Sequence, residues 1–310
     1  MTGAERFTVA LIGASGLLGR AVAVELARHA KDWRVVCTAH RRAVAGSVPL
    51  DIRDHDAVRA FLRREKPQVI VVAAAERRPD VCENDPALAR ALNVDALGAI
   101  ATEARALGAW VLSISTDYVF DGTSPPYSPD DAPAPLNAYG QSKLDGENAL
   151  LACDPHACVL RLPLLYGPVV DWSESAVTSL TPAIVASADL ANAPATMDAW
   201  ATRYPTYTPD VAVVIRGMIE HHARGATISG ITQWSGDEPM TKFDIAERIA
   251  RALNVDAKLV AQRTPADATP RPRDCHLDSA RLEALGIGQR TPFDTAIAHV
   301  LARYPALPPH

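Results

Sequence analysis

The sequence predicts an α/β fold: a doubly wound parallel sheet followed by a smaller carboxyl-terminal α/β domain. From Phe7 to about Gly167 short apolar runs alternate with longer amphipathic segments, the order expected when parallel strands are joined by crossover helices. The turn GASGLLG, with Gly13, Gly16 and Gly19, falls between the first apolar run and the first amphipathic segment. After Gly167 the alternation lapses into a polar, proline-containing stretch from Pro168 to Pro209. The boundary is therefore expected there, with 1–167 as the first domain and 168–310 as mainly the second, and with 204–224 returning to the first.

In chain order, TVALIG, RVVCTA, VIVVAAA, WVLSIS and CVLRLPLLYG read as buried strands. Between them Leu17, Leu18, Ala21, Val22 and Leu26, and then Val58, Phe61 and Leu62, recur at helical spacing and give each helix one apolar face. Asp210 to His222 reads as an apolar helix. Thr241 followed by Asp244 resembles a capping arrangement ahead of Phe243, Ile245, Ala246, Ile249 and Leu253. The proline-rich end, Tyr304 to His310, reads as a tail that is frayed or ordered only on contact.

Composition narrows the function classes. With 310 residues, 48% hydrophobic and 22% charged, the chain can bury one large core and a satellite. The net charge of -5 is interspersed, unlike the basic face that neutralises a phosphate backbone, so no nucleic-acid partner is expected. Cys37, Cys82, Cys153, Cys158 and Cys275 form no CxxC pair, which argues for reduced thiols in a cytoplasmic protein. No signal peptide and no membrane span are expected, since apolar stretches such as Val69 to Ala75 fall far short of the roughly 20 residues that cross a bilayer.

The glycine motif is the first chemical signal. Gly13 allows the tight turn, Gly16 lets backbone approach a pyrophosphate, and Gly19 lets the helix pack on the strand, while the helix amino terminus offers free N–H groups to an anion. Such a Rossmann arrangement predicts a nicotinamide dinucleotide held by Gly13, Ser15, Gly16, Leu17, Leu18 and Gly19. Where an NAD-specific domain would carry an acidic residue, the second strand ends in Ala39-His40-Arg41-Arg42. A guanidinium there pairs with a ribose 2′-phosphate, so NADP(H) is the expected cofactor. Asp51, followed by Ile52, is a candidate acceptor for the adenine amino group. Ala73, Ala74, Ala75, Asn93 and Leu162 complete the expected cofactor contacts.

The second signal is Tyr139-Gly-Gln-Ser-Lys143, preceded by Ser115-Thr116 at the end of the strand WVLSIS. Tyr139 and Lys143 lie one helical turn apart, on one face. Alone, this spacing reads as a surface helix turn; after a glycine-rich strand-to-helix start it reads as a site. A neighbouring ammonium and an oxidised nicotinamide are expected to lower the phenol's pKa. In carbonyl reduction Tyr139 would supply the proton, Thr116 would hydrogen-bond the carbonyl oxygen, and Lys143 would also hold the nicotinamide ribose.

GASGLLG, STDYVFDG and PLNAYGQSKLDGE resemble the extended short-chain dehydrogenase/reductases, in the branch around dTDP-4-dehydrorhamnose reductase. RPRDCHLDSARLEALGI is similar to that branch's closing segment. The resemblance covers nearly the whole chain and implies Thr116, Tyr139 and Lys143 at the catalytic positions. AAAERRPDVCEN, SAVTSL, MDAWATRYPT, WSGDEPMTK and LGIGQRTPF resemble, more narrowly, the regulatory β subunits of methionine adenosyltransferase. That implies NADP(H) binding and association with a catalytic subunit, partly through the carboxyl-terminal tail, here LARYPALPPH. Glu76-Arg77-Arg78 and Leu162-Pro163-Leu164 depart from the reductase pattern around its sugar pocket.

Two readings stand, a regulatory partner of methionine adenosyltransferase and an NADPH-dependent reductase of a 4-keto sugar nucleotide. Glu76, Arg77 and Arg203 are candidate substrate residues, and Arg77, Arg78 and Arg203 read equally as ion-paired boundary residues. His40 and His221-His222 have no carboxylate or cysteine at metal-ligand spacing, so no metal is expected. Trp200 and Trp234 read as packing residues.

Overall fold

Continuous apolar runs require cover on both faces of a sheet, and a computed structural model of the chain shows how that cover is built. The structure describes residues 6–42, 44–265 and 269–302; the tail Tyr304 to His310 lies outside them.

Strand β1 (Phe7–Ile12) leads through the glycine turn into α1 (Leu17–Ala27) and back to β2 (Trp33–Ala39), beside which lies the short β3 (Val48–Pro49). Helix α2 (His55–Glu65) returns the chain to β4 (Val69–Val72). Next come α3 (Pro79–Asn84), α4 (Pro86–Arg90) and α5 (Ala96–Leu107), then β5 (Trp110–Thr116), α6 (Ala138–Cys153) and β6 (Cys158–Leu162). The remaining elements are β7 (Leu165–Tyr166), α7 (Thr181–Ala186), β8 (Ala195–Asp198), β9 (Thr206–Tyr207), α8 (Thr208–Ala223), β10 (Gly230–Gln233), α9 (Lys242–Leu253), β11 (Leu259–Gln262), α10 (Ala280–Glu283) and α11 (Phe293–Leu301).

Seven strands form one sheet in the order β10-β6-β5-β4-β1-β2-β3, with each neighbouring pair parallel. Alternate side chains go to opposite faces. Val9 and Leu11 of β1, Val69 and Val71 of β4 and Leu112 of β5 meet α1 and α8 through Val22, Leu26, Val211, Ile215 and Met218. Ala10, Ile12, Ile70, Val72 and Val111 meet α2 and α5 through Val58, Phe61, Leu62, Leu97 and Ile100. The sheet is thus wound on both sides.

Two strand readings change. The run from Val69 ends as a strand at Val72. The run from Cys158 breaks after Leu162, where Pro163 offers no N–H to a ladder, and β7 pairs instead with β9. Strand β10 adds an edge to the sheet beside β6. A third core gathers Tyr166, Ile184, Met197, Met240, Ile245, Ile249, Phe293 and Ile297 around α7, α9, α11 and the β8–β11 pair. Thr241 caps α9: its side chain accepts from the Asp244 N–H while the Asp244 carboxylate accepts from the Thr241 N–H at 2.7 Å.

Candidate functional site

A cavity of about 520 Å³ opens at the carboxyl ends of β1, β2, β4, β5 and β6, where the strand order reverses between β1 and β4. Doubly wound sheets present their ligand crevice at this point. Gly13, Ser15, Gly16, Leu17, Leu18, His40, Arg41, Asp51, Ile52, Ala73, Ala74, Ala75, Thr116, Tyr139, Lys143, Leu162, Glu76, Arg77 and Arg203 all line it. Gly19, Arg42 and Asn93 do not.

The glycine turn owes its shape to two close approaches. Gly13 has φ +93°, and a Cβ there would lie 2.7 Å from the Ala74 amide nitrogen at the end of β4. A Cβ on Gly19 would lie 2.1 Å from the Gly13 carbonyl oxygen, so Gly19 acts from behind the cavity by letting α1 pack onto the turn. Helix α1 begins at N-cap Gly16 with no side-chain cap and no acidic residue in its first turn. Its first N–H groups are left for an anion in the cavity, which fits a dinucleotide pyrophosphate.

At the end of β2 the two arginines part. Arg41 is exposed on the cavity rim and forms no ion pair with another described residue. Arg42, expected at the cofactor, instead donates to Glu174 of the turn Trp172–Glu174. Asp51 differs in part from expectation, because both of its oxygens accept from Arg53 at 2.6–3.1 Å. Those hydrogen bonds hold its carboxyl down at about 2, so an adenine amino group would meet an acceptor already engaged by a guanidinium.

Thr116 ends β5, and its hydroxyl donates to the Asp117 carboxylate at 3.1 Å. Tyr139 enters in the first turn of α6, whose N-cap Asn137 accepts from the Gly140 N–H at 2.9 Å. The Tyr118 and Tyr139 rings meet edge to face, 5.8 Å between centroids. Lys143 donates to the Ile114 carbonyl at 2.8 Å. In the chain by itself burial pushes the Tyr139 phenol well above its usual range, only partly opposed by the Thr116 hydroxyl. Burial likewise pulls Lys143 down to about 8, against the charge of Glu147. Beside them the Ser115 hydroxyl is buried without a hydrogen-bond partner among the described residues.

The Glu76 carboxylate folds back on its own loop and accepts from the Arg77 and Arg78 N–H groups at 3.0 Å and from the Arg78 guanidinium at 2.8 Å. That leaves it little capacity for a substrate. Asn93, expected at the cofactor, lies behind this loop: it accepts from the Glu76 N–H at 2.9 Å and donates to the Glu76 carbonyl and the Ser142 hydroxyl at 3.0 Å. Its role is to hold the cavity wall. Arg203 is buried and donates to the carbonyls of Thr202 and Pro272 at 2.8 and 3.0 Å. Arg77 is exposed at the rim without a side-chain hydrogen bond to another described residue. Trp234 is fully buried under the Arg290 guanidinium, 4.2 Å above its ring.

Asp117 and Glu174 line the cavity and were missed as site residues. Asp117 was findable, since it follows Thr116 directly at a strand end. Burial raises its carboxyl to about 6, with the charge of Arg203 opposing. An acid raised in the folded state stabilises the fold least above that value, so the deficit grows from about pH 4 to about pH 6. Asp117→Asn is therefore expected to stabilise the protein at pH 7.5 by about 2–3 kcal/mol. In urea denaturation the gain should vanish near pH 4; a gain independent of pH would exclude titration of Asp117 as its source.

Among the described residues no group of three or more His, Cys, Asp or Glu is placed to hold a metal ion, and no helix is long and apolar enough to cross a membrane.

Residues 7–305 match the RmlD substrate binding domain family. The chain is 46% identical over 295 residues to methionine adenosyltransferase 2 subunit beta of Pongo abelii, covering 94% of this chain and 86% of that protein. Among solved structures, a dTDP-4-dehydrorhamnose reductase of Clostridium acetobutylicum superposes with TM-score 0.82 at 26% identity, over 95% of this chain and 98% of that one. A dTDP-4-dehydrorhamnose reductase of Bacillus anthracis in complex with NADP has the same fold, with TM-score 0.82 at 24% identity, over 98% and 100% of the two chains. The parallel seven-stranded sheet, the uncapped helix beneath its glycine turn and the match along almost the whole length agree: the chain belongs to the RmlD substrate binding domain family and, within it, resembles the regulatory β subunit of methionine adenosyltransferase.

Proposed function

We propose that the chain is an NADP(H)-binding regulatory subunit that associates with a methionine adenosyltransferase catalytic subunit. The observation that carries this reading is the 46% identity extending over 94% of the chain. It takes in segments such as MDAWATRYPT and LGIGQRTPF that lie largely away from the glycine motif. In this reading 1–167 and 204–224 build the cofactor domain and 168–310 mainly the second domain. Five free thiols fit a cytoplasmic setting. Adding the purified chain to the cognate catalytic subunit is expected to change its rate of S-adenosylmethionine formation; an unchanged rate at saturation counts against the regulatory role.

The uncapped amino terminus of α1 would hold the pyrophosphate, and Arg41 the 2′-phosphate. A bound nicotinamide would supply hydride chemistry at the end of the cavity lined by Thr116, Tyr139 and Lys143. Arg41→Ala is expected to weaken NADPH binding roughly tenfold or more, the worth of a hydrogen bond between charged groups. NADH binding should barely change in the same fluorescence titration, and equal weakening of both would remove Arg41 from the phosphate.

The convergence of Thr116, Tyr139 and Lys143 on one cavity is also chemically competent for the alternative reading, reduction of a 4-keto sugar nucleotide such as dTDP-4-dehydrorhamnose, without discriminating it from the regulatory one. Steady NADPH oxidation with that substrate, lost in Tyr139→Phe, would support it.

A further inference from the structure

Three parts of the chain meet at the Glu174 carboxylate. This residue is 6% exposed and lines the cavity. It accepts from the Val170 N–H at 2.9 Å, from Arg20 Nη2 at 2.5 Å and Nη1 at 3.4 Å, and from Arg42 Nη1. Arg20 also donates to the Ser15 carbonyl in the glycine turn at 2.8 Å and to the Pro168 carbonyl at 3.4 Å. Segment 168–174 is therefore strapped to the glycine turn on one side and to the loop after β2 on the other. The two ends of the outer link differ, since the Arg42 side chain is 58% exposed and that of Glu174 only 8%.

We propose that Glu174 is a specificity-determining residue that competes with the ribose 2′-phosphate for Arg42, so that a 2′-phosphorylated dinucleotide loosens the strap and an unphosphorylated one leaves it fastened. The inference rests on the NADP(H) reading above. Arg42 directly follows Arg41, which stands on the rim where the phosphate would lie, and its 58% exposed side chain is free to turn from Glu174 toward a phosphate there. A phosphate and a carboxylate both seek the same guanidinium, and each anion disfavours the other beside it. Whatever hold Glu174 keeps on Arg42 is subtracted from the hold of the phosphate. Binding is reciprocal, so the phosphate must weaken the strap by the same factor.

Titration of wild type, Glu174→Gln, Arg42→Ala and the double variant with NADPH and with NADH tests this. Gln keeps the acceptor for the Val170 N–H and removes the charge. The ratio of NADH to NADPH dissociation constants is expected to rise roughly three- to tenfold in Glu174→Gln, the worth of one charge-assisted pair. It should not respond to Glu174→Gln when Arg42 is already Ala. An unchanged ratio, or a fall, would overturn the proposal while leaving NADP(H) binding intact; a wild-type ratio near one would overturn the NADP(H) reading itself and the proposal with it. Hydrogen exchange on wild type gives a check that needs no variant. The amides of 170–174 should exchange faster with saturating NADPH than with saturating NADH, and equal or slower exchange would contradict the competition.

Discussion

Arg161→Met is expected to lower the stability of the folded chain by about 3–5 kcal/mol, the largest single effect foreseen here. Arg161 on β6 and Glu147 on α6 are each 3% exposed and lie 2.7 Å apart at their closest atoms, and the guanidinium sits 5.0 Å above the Phe120 ring. Two further bonds at 3.0 and 3.3 Å bind Arg161 Nε to the same carboxylate. Removing the cation strands a carboxylate in the interior, whose desolvation then lacks its main offset. Arg161→Met with Glu147→Leu should recover most of the loss, because the pair itself adds little net stability once both charges are gone. Urea midpoints of the two single variants and the double variant measure this. Additive losses would show that the two side chains act independently.

Gly19→Ala is expected to lose about 2 kcal/mol or more, together with most dinucleotide affinity. Alanine in a helix interior gains about 1 kcal/mol over glycine. Here the added carbon would lie 2.1 Å from the Gly13 carbonyl oxygen and 2.9 Å from the Ala14 Cα. Both are backbone atoms that cannot turn aside, so the clash outweighs the propensity. The first turn of α1 would have to move off the glycine loop, carrying its free N–H groups with it. Gly98 in α5 provides the control, since nothing lies within 4 Å of a Cβ there. Gly98→Ala should stabilise by about 1 kcal/mol. The same sign for both variants in thermal unfolding would contradict this argument.

The readings that survived are those with local causes. Continuous apolar runs and a glycine turn between strand and helix are written within a few residues and predicted the parallel sheet, and one helical turn between Tyr139 and Lys143 predicted that they share one face. Long-range partners were invisible. Arg42 meets Glu174 from 132 residues away, and no local pattern marks the partner. The order Glu76-Arg77-Arg78 did not reveal that the carboxylate would fold back to cap its own loop, or that Asn93 would serve that loop from behind. β10 is four residues, Gly-Ile-Thr-Gln, too short and too polar to stand out as a strand. Nor does the spacing of Tyr139 and Lys143 show how deeply the phenol is buried, which is the largest influence on it in the chain by itself.

The regulatory reading is tested most directly by size-exclusion chromatography with in-line light scattering. The chain is mixed with the methionine adenosyltransferase catalytic subunit of the same source in the presence of NADPH. A single peak containing both proteins, with the mass of a complex, is predicted; two separate peaks at the masses of the isolated components would contradict it.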